Sequence, residues 1–455
     1  MIGCKYLVVG SGETGLYLAK QIALLGEQVI LVDQDTFGGS YLHNLDIPKF
    51  WLKHEATKFA TSLDIFRGFS KTHNVLIHHR QSLKKVIQTK ILATYQYFLS
   101  DYSNTKNLTI LQGKASFYSK NIMQLVNGQD NNEDSQLITF EHILLTVGQN
   151  TLQKPDFIKN QDVQFLHQYN VFQLLSVPNT LAIVGWTPFN LEVADIYANL
   201  GISVEIFEQK NMYEAVSNLS DQALDYLQRS LNCKNIKCNF GCEVVDITKD
   251  NKSVVIKTNN GQVISESVFD SVFVFVKESF VDKGLNLKEV GVNYSPTGIY
   301  TDIRSRTTLR NVWAFGSCNS RIHNDNKLTQ LNDFMFKLKH QNPNISIWDS
   351  VGFIRDNKGF LSNDQFELQL NLSKSLYTLG LNEDNAKDIY FPDYAVENIQ
   401  KINQEGFISI IYRPSSGLII GATIAGQMSQ YRHYINCAMI HKINFFEVFR
   451  YILSS

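Results

Sequence analysis

Residues 5-KYLVVGSGETGLYLAKQIALLGEQVILVDQD-35 predict a strand, a glycine turn, an amphipathic helix and a second strand, which together form a βαβ unit. In such a unit Gly10 permits the tight turn, Gly12 lets the backbone approach a pyrophosphate, and Gly15 lets helix and sheet pack closely. Asp33 ends the second strand, 18 residues after Gly15, where a carboxylate can accept hydrogen bonds from an adenosine ribose. Because strand, helix and acid stand in the required order, the stretch predicts a dinucleotide site.

The length and composition of the chain indicate a multidomain globular protein. Its 455 residues exceed what one core holds, and 44% of them are hydrophobic while 19% are charged. Forty-two basic and 43 acidic side chains give a net charge of −1, so no overall field attracts nucleic acid or an anionic membrane. The expected partners are therefore small molecules and proteins.

Neither export nor a membrane span is expected. The first predicted strand, from Tyr6 to Val9, starts almost at Met1, which leaves no room for a secretion signal. No run approaches the ~20 apolar residues that a bilayer crossing needs. We therefore expect a cytoplasmic protein.

The six cysteines are too few for a disulfide framework in a chain of this size, so reduced thiols are expected. Cys233, Cys238 and Cys242 stand close together and raise the possibility of a metal or redox cluster. Their spacing matches no zinc pattern, and free cysteine is among the most buried residue types. We therefore interpret them as buried thiols and predict no metal site.

Further motifs extend beyond the first unit, and with them the chain resembles the class I pyridine nucleotide-disulfide oxidoreductases, the group of dihydrolipoamide dehydrogenase, glutathione reductase and mercuric reductase. The motifs that carry the resemblance are 38-GGSYLHNLDIPK-49, 113-GKASF-117, 143-ILLTVG-148, 312-VWAFGS-317 and 406-GFISIIYRPSSGLIIGATIAG-426. The resemblance implies an α/β fold with two Rossmann-like dinucleotide-binding domains and an α+β dimerisation domain. The implied bounds are 1–150 with 271–325 for the FAD-binding domain, 151–270 for the NAD(P)-binding-like domain and 326–455 for the interface domain.

The interface domain implies a homodimer. Its 406–426 stretch predicts a hairpin that turns at Pro414 to Gly417. In the terminal segment Phe445, Phe449 and Ile452 share one helical face. We interpret this face as packing against the partner subunit, with a membrane-surface role as the alternative.

In the resembled family the first βαβ unit holds FAD. The FAD-binding residues that this implies are Gly10, Gly12, Gly15, Asp33, Gly39, Ser40, Ala115, Thr146, Gly148, Gly316 and Ser317. Ser317 replaces the aspartate that in the family accepts a hydrogen bond from the flavin ribityl chain. Serine still accepts this bond, at an expected loss of about 1–2 kcal/mol in FAD binding.

The family's catalytic groups are missing from the matching positions. Tyr41 and Asp46 stand where the family has its two redox cysteines, and neither side chain can form or attack a disulfide. Phe50 stands where the family has a lysine, although Lys49 precedes it, so we expect no cation beside the flavin and a flavin that is harder to reduce. The family's C-terminal histidine is also absent, since no histidine follows His441. His43 and Tyr41 are alternative acid, base or hydrogen-bonding groups.

The second βαβ unit, 180-TLAIVGWTPFNLEVADIYANLGISVEIFEQ-209, matches the family's NAD(P)-binding unit without its glycines. Gly185 remains, but Thr187 and Asn190 replace the other two glycines, and Pro188 removes one N–H donor. Two acids also remain: Glu192 matches the family's nicotinamide-side glutamate, and Glu208 matches its ribose-binding acid. NAD(P) binding therefore stays open, with a purely structural Rossmann unit as the alternative.

Two hypotheses follow for the function. The first is an FAD-dependent oxidoreductase that passes electrons through its flavin to a small acceptor, such as a quinone, without a protein disulfide. The second is a catalytically inactive pseudoenzyme of the same fold that acts as a binding or regulatory partner. The complete first unit supports the former hypothesis, and the simultaneous loss of several linked groups supports the latter.

Overall fold

A computed structural model of the protein describes residues 1–66, 72–126, 135–149, 151–160, 162–173, 177–215, 219–234, 236–302, 304–321, 334, 369–370, 375–400, 405–440 and 442–454. The strands next to the two glycine loops are parallel, an antiparallel hairpin of residues 114–126 extends the first sheet, an antiparallel three-stranded sheet of residues 243–269 lies in the second unit, and the C-terminal sheet is antiparallel. The predicted fold class is confirmed. His441 lies outside the described residues.

The N-terminal part is built on a parallel sheet around its first strand. The run 6-YLVV-9 is fully apolar or aromatic and buried, as expected for a central strand covered on both faces. This strand pairs in parallel with the strands on either side of it, at Tyr6↔Val29 and Tyr6↔His142. The elements are β1 (Ile2–Val9), α1 (Glu13–Leu24), β2 (Val29–Asp33), α2 (Gly39–His43), α3 (Asp46–Phe66), α4 (Thr72–Ser103), β3 (Leu108–Gln112), β4 (Lys114–Ser119), β5 (Ile122–Val126), β6 (Ser135–Leu145) and β7 (Thr151–Leu152).

The middle part repeats the Rossmann plan and then returns to the first sheet. Its elements are β8 (Thr180–Val184), α5 (Pro188–Asn199), β9 (Ser203–Glu208), α6 (Met212–Ala215), α7 (Asp221–Asn232), β10 (Lys237–Phe240), β11 (Glu243–Asp250), β12 (Ser253–Asn259), β13 (Ile264–Phe269), β14 (Ser271–Val274), β15 (Glu278–Ser279), α8 (Leu287–Val290), β16 (Tyr294–Ser295), β17 (Gly298–Ile299) and β18 (Val312–Ala314). The parallel order is β10-β9-β8-β14, and β18 pairs with β6 of the first sheet.

The predicted boundary at residues 270 and 271 falls directly before β14. This strand pairs in parallel with β8, at Ser271↔Leu181, and therefore belongs to the second sheet. The second unit thus reaches at least residue 274, because the fourth strand of its sheet comes after the antiparallel strands β11 to β13. The other domain bounds remain predictions.

The C-terminal part is an antiparallel sheet of order β19-β20-β23-β22-β21 covered by helices. The predicted hairpin joins β22 to β23, and Gly417 in its turn has φ 69°. Its elements are β19 (Gln369–Leu370), β20 (Leu376–Gly380), α9 (Glu383–Tyr390), β21 (Ala395–Ile399), β22 (Gly406–Arg413), β23 (Leu418–Gly426), α10 (Arg432–Ile440) and α11 (Phe445–Ser454).

The terminal helix α11 packs on its own sheet. Phe445 and Ile452 are buried in the core that β22 and β23 form, and Phe449 packs against the same core. The interpretation of this face as a partner-subunit contact is therefore wrong, because the chain's own sheet covers it. In the described residues, no helix combines the length and apolar character that a membrane crossing requires.

Helix α3 joins the first unit to the second. Leu52 and Ala56 have no exposed surface and lie in the same core cluster as Leu191 and Val193 of α5. This packing fixes the rotation of α3, so it decides which residues at the start of that helix face the second unit.

Candidate functional site

A cavity of about 610 Å³ opens at the carboxyl ends of β1, β2 and β6, where the order of the sheet reverses. Open α/β sheets bind ligands at this position, and the volume is in the range of small-molecule sites. The sequence-predicted residues that line it are Gly10, Gly12, Asp33, Gly39, Ser40, Tyr41, Asp46, Ala115, Thr146, Gly148, Gly316 and Ser317. The structure therefore brings together all the predicted FAD residues except Gly15, with Tyr41 and Asp46 in the same wall.

Gly12 and Gly15 have different roles at this cavity. A Cβ atom on Gly15 would lie 1.8 Å from the Gly10 carbonyl oxygen, so only glycine allows α1 to pack against the strand. A Cβ atom on Gly12 would meet nothing within 4 Å, and the residue has an extended backbone with φ −63°. Gly12 thus leaves the start of α1 open to the cavity, and Gly15 lets α1 pack closely on the strand.

Asp33 organises the loop around the cavity. Its Oδ2 accepts hydrogen bonds from the Ser11 backbone N at 2.6 Å and from Ser11 Oγ at 2.5 Å. Ser11 Oγ in turn accepts a bond from Gly38 N at 2.8 Å. Ser11 is therefore a site residue that the sequence analysis did not single out, although a hydroxyl between two motif glycines is a readable signal.

The side-chain hydroxyls of Thr146 and Ser317 lie in the opposite wall of the cavity. Thr146 Oγ1 donates to the carbonyl oxygens of Val9 and Gly10, at 2.9 and 2.7 Å, and so holds the glycine turn. Ser317 Oγ accepts from Gln149 N at 3.2 Å and lines the cavity. Ser317, at the position of the family's aspartate, is thus held by this bond. Unlike a carboxylate, its hydroxyl can also donate a hydrogen bond.

One wall of the cavity, here called the α2–α3 wall, is formed by Tyr41, His43, Asn44 and Asp46. It carries hydrogen-bonding groups instead of thiols. Burial, together with the negative charges of Glu13 and Asp46, raises the pKa of Tyr41 above its ordinary value, so its phenol stays protonated at neutral pH. The His43 imidazole Nε2 lies 3.0 Å from the Phe37 carbonyl oxygen. A protonated phenol, an imidazole and a carboxylate can therefore donate, accept or hold protons at this wall.

Lys49 places a cation next to Asp46 of the α2–α3 wall but is not among the residues that line the cavity, so the expectation of no cation beside the flavin stays a prediction. Its Nζ lies 3.0 Å from Glu192 Oε2 and 3.6 Å from Asp46 Oδ1, whereas Phe50 is 58% exposed. Burial alone would lower the pKa of Lys49, but the charges of Glu192 and Asp46 outweigh it and raise that pKa. The ammonium therefore stays charged between the two carboxylates.

The loop between β8 and α5 of the second unit is held by hydrogen bonds to its own side chains and to Glu208. Thr187 caps α5, since its Oγ1 accepts from Asn190 N at 3.1 Å. The Asn190 side-chain amide donates to the carbonyl oxygens of Val184 and Gly185, at 2.9 and 2.8 Å. Glu208 Oε2 accepts from Trp186 N at 2.7 Å. Glu192 and Glu208, the two acids that suggested NAD(P), both have partners within the protein.

The cysteines of the described residues are free thiols, and the expectation that Cys233, Cys238 and Cys242 are buried is wrong, because Cys233 is exposed and the other two are partly exposed. Cys318, next to Ser317, is fully buried and donates to the carbonyl oxygens of Leu145 and Phe315. Burial raises its pKa to about 11. In the same described residues, no group of three or more His, Cys, Asp and Glu side chains converges as metal ligands do. Cys318 is therefore a structural thiol.

Comparison with known proteins gives a consistent set of similarities. The model of the pyridine nucleotide-disulphide oxidoreductase family matches residues 4–332. A dihydrolipoyl dehydrogenase of Geobacillus stearothermophilus is 24% identical over 437 residues, which cover 93% of this chain and 87% of that protein. A dihydrolipoyl dehydrogenase of Buchnera aphidicola subsp. Baizongia pistaciae is also 24% identical, over 69% of this chain and 65% of the relative.

Among solved structures, the chain is similar in fold to an HOCl-induced flavoprotein disulfide reductase, RclA, from Escherichia coli in its Cu(II) complex. The TM-score is 0.75 with 16% sequence identity, and the match covers 96% of this chain and 93% of that chain. The arrangement of two Rossmann-like units and a C-terminal sheet is therefore shared over the whole length.

Proposed function

Because the chain belongs to the pyridine nucleotide-disulphide oxidoreductase family, we propose that it is an FAD-binding oxidoreductase in which electrons pass directly from the flavin to a small acceptor, without a protein disulfide. One observation carries the proposal. The dinucleotide cavity keeps its glycine loop and ribose-binding acid, while Tyr41 and Asp46 form the wall at the positions of the family's redox cysteines. The residues that would bind the cofactor are thus present, whereas the family's two redox cysteines are replaced.

The residues around the cavity suit FAD. Gly12 leaves room for a pyrophosphate at the N-terminus of α1, where the helix dipole favours negative charge. Asp33 would hold the adenosine ribose, the backbone near Ala115 would meet the adenine, and Ser317 would bond the ribityl chain. When bound, FAD supplies a carrier of two electrons. The same residues fit a protein that purifies with its flavin.

The thiols of this chain do not supply a second redox centre. Among the described residues that line the cavity, none is a cysteine. Burial raises the pKa of Cys4 to about 12 and that of Cys238 to about 11, so these thiols are not reactive thiolates near neutral pH. Electrons that leave the flavin must then go directly to an acceptor at the α2–α3 wall. Tyr41 and His43 are the groups that would donate protons to a reduced quinone there.

An anaerobic titration with dithionite tests this proposal. We expect complete bleaching of the flavin at two electrons per flavin, because a disulfide beside the ring would require two more. A water-soluble benzoquinone, added next, should restore the oxidised spectrum. A requirement for four electrons, or a flavin that benzoquinone does not reoxidise, would contradict the proposed function.

Asp46→Asn is expected to raise the midpoint potential of the bound flavin. Removal of one negative charge favours the reduced ring by about 1 kcal/mol, which corresponds to roughly 20 mV for two electrons. The measurement is a redox titration against a dye of known potential. Asp35→Asn, at the β2 side of the same cavity, serves as the control and should shift the potential much less. An unchanged or lowered potential in Asp46→Asn would show that this carboxylate does not face the ring.

The pseudoenzyme hypothesis remains the second candidate, because the loop of the second unit is bonded to its own side chains. The rate of the benzoquinone reaction separates the two, since the flavin of a pseudoenzyme would be reoxidised no faster than free reduced FAD. A homodimer, the state implied by the family resemblance, is part of either proposal.

A further inference from the structure

We propose that the second Rossmann unit does not bind a nicotinamide dinucleotide, because its own side chains close the phosphate site at the start of α5. This inference deepens the proposed function, since it excludes NADH and NADPH as the reductants of the flavin. Only that consequence rests on the proposed function. The closure itself is a property of the second unit and can be tested separately.

Two of the first three residues of α5 offer no N–H to a phosphate. Pro188 is the first residue of the helix and has no N–H, and the N–H of Asn190 is bonded to Thr187 Oγ1 at 3.1 Å. A pyrophosphate would therefore have to break a cap that is already satisfied.

In the first unit, the equivalent helix start has no side-chain cap. Helix α1 begins after Gly12, which has no side chain to cap it, and the space beyond Gly12 is empty to 4 Å. Thr187 takes the place of Gly12 in the second unit, and its side chain points back to the helix as the cap. Within one chain, the uncapped helix start of the first unit faces a cavity, and the helix start of the second unit is capped by its own threonine.

Asn190 and Trp186 occupy the rest of the loop. The Asn190 amide bonds to the carbonyl oxygens of Val184 and Gly185 and fills a gap between helix and strand, whereas in the first unit Gly15 lets helix and strand pack directly. The ring of Trp186 packs on Phe240, with 4.8 Å between their centroids, and against the core of the unit. These contacts fix the loop in its closed path.

The two acids that suggested a nicotinamide site have partners within the protein, as Asp33 of the first unit also has. Glu208 holds the loop through the N–H groups of Trp186 and Lys210, at 2.7 and 2.8 Å. Glu192 is the counter-ion of Lys49. The pair of Glu192 with Lys49 links the second unit to the start of α3, so the second unit supports the α2–α3 wall.

Equilibrium dialysis of the FAD-loaded, full-length protein against NADH, and separately against NADPH, tests the inference. We expect no saturable binding of either nucleotide up to about 1 mM. The variant Thr187→Gly/Asn190→Gly removes the cap and the side chain that fills the gap, and should bind NADH at least tenfold more tightly. Retained flavin absorbance and an unchanged thermal midpoint would show that this variant is folded.

Saturable binding to the wild-type protein below about 0.1 mM, weakened by Glu208→Gln, would overturn the inference. A folded double variant that gains no binding would also overturn it, because other features would then close the site. Should the double variant not fold, the wild-type measurement and the single Thr187→Gly variant still decide the question. Dialysis measures bound nucleotide and not electron transfer, so its result does not depend on whether the flavin reduces benzoquinone.

Discussion

Gly12→Val is expected to abolish FAD binding and to leave the protein folded. The residue has an extended backbone that any amino acid adopts, and its Cβ would meet no protein atom within 4 Å. The valine side chain would instead fill the space where the pyrophosphate must lie against α1. Loss of its charge-assisted hydrogen bonds should weaken FAD by at least about 3 kcal/mol, or roughly 100-fold.

The measurement is the ratio of flavin to protein absorbance after purification, followed by titration of the variant with FAD. Thr187→Val is the matched control, since it places the same side chain at the equivalent position of the second unit and should leave FAD uptake unchanged. Circular dichroism of both variants checks the fold. A Gly12→Val protein with stoichiometric FAD would place the cofactor outside this cavity.

Lys49→Met is expected to lower the free energy of unfolding by about 3 kcal/mol, because it removes the cation that is in direct contact with a buried carboxylate. The side chain of Glu192 is only 8% exposed, and its Oε2 lies 3.0 Å from Lys49 Nζ. The double variant Lys49→Met/Glu192→Gln removes both charges, so we expect it to recover most of the loss. Urea unfolding of the wild type, both single variants and the double variant completes the cycle.

Lys58→Met is the control for the loss of a lysine from the same helix. Its ammonium is well exposed and lies 3.4 Å from Glu55, so its removal should cost less than about 1 kcal/mol. Since the folded-state pKa of Lys49 is raised, the contribution of its ion pair is complete from neutral pH up to pH 10.5 and is lost as the pH rises further. Equal stability of the Lys49→Met and Lys58→Met variants would show that the buried pair contributes nothing.

The glycine cradle could be predicted from sequence because its causes are local. The turn, the open helix start and the close packing each depend on one glycine at a fixed distance from the strand. Lys49 could not be predicted in the same way. Neighbouring residues of a helix point about 100° apart, and the contact of Leu52 and Ala56 with α5 selects Lys49 over Phe50. Only tertiary packing contains that information.

The second loop was predictable in part. The sequence indicated that Thr187, Pro188 and Asn190 would disturb a phosphate site, but not what they would form instead. Threonine before a helix whose first residue is proline is a strong N-cap signal, and the structure shows that cap. The bonds from Asn190 to the end of β8 depend on how close helix and strand approach, which the loop sequence alone does not give.

The pairing of β18 with β6 has a consequence for synthesis on the ribosome. The carboxyl half of β6 has β18 as a neighbour, at Ile143↔Val312, and the intervening chain includes the whole second Rossmann unit. At about 5–20 residues per second, the nascent N-terminal sheet waits many seconds with an unpaired strand edge. Gly316 and Ser317, which complete the cavity, arrive with the same late strand. Flavin capture is therefore a late event, and a ribosome that stalls before residue 312 releases a chain with an incomplete cofactor pocket.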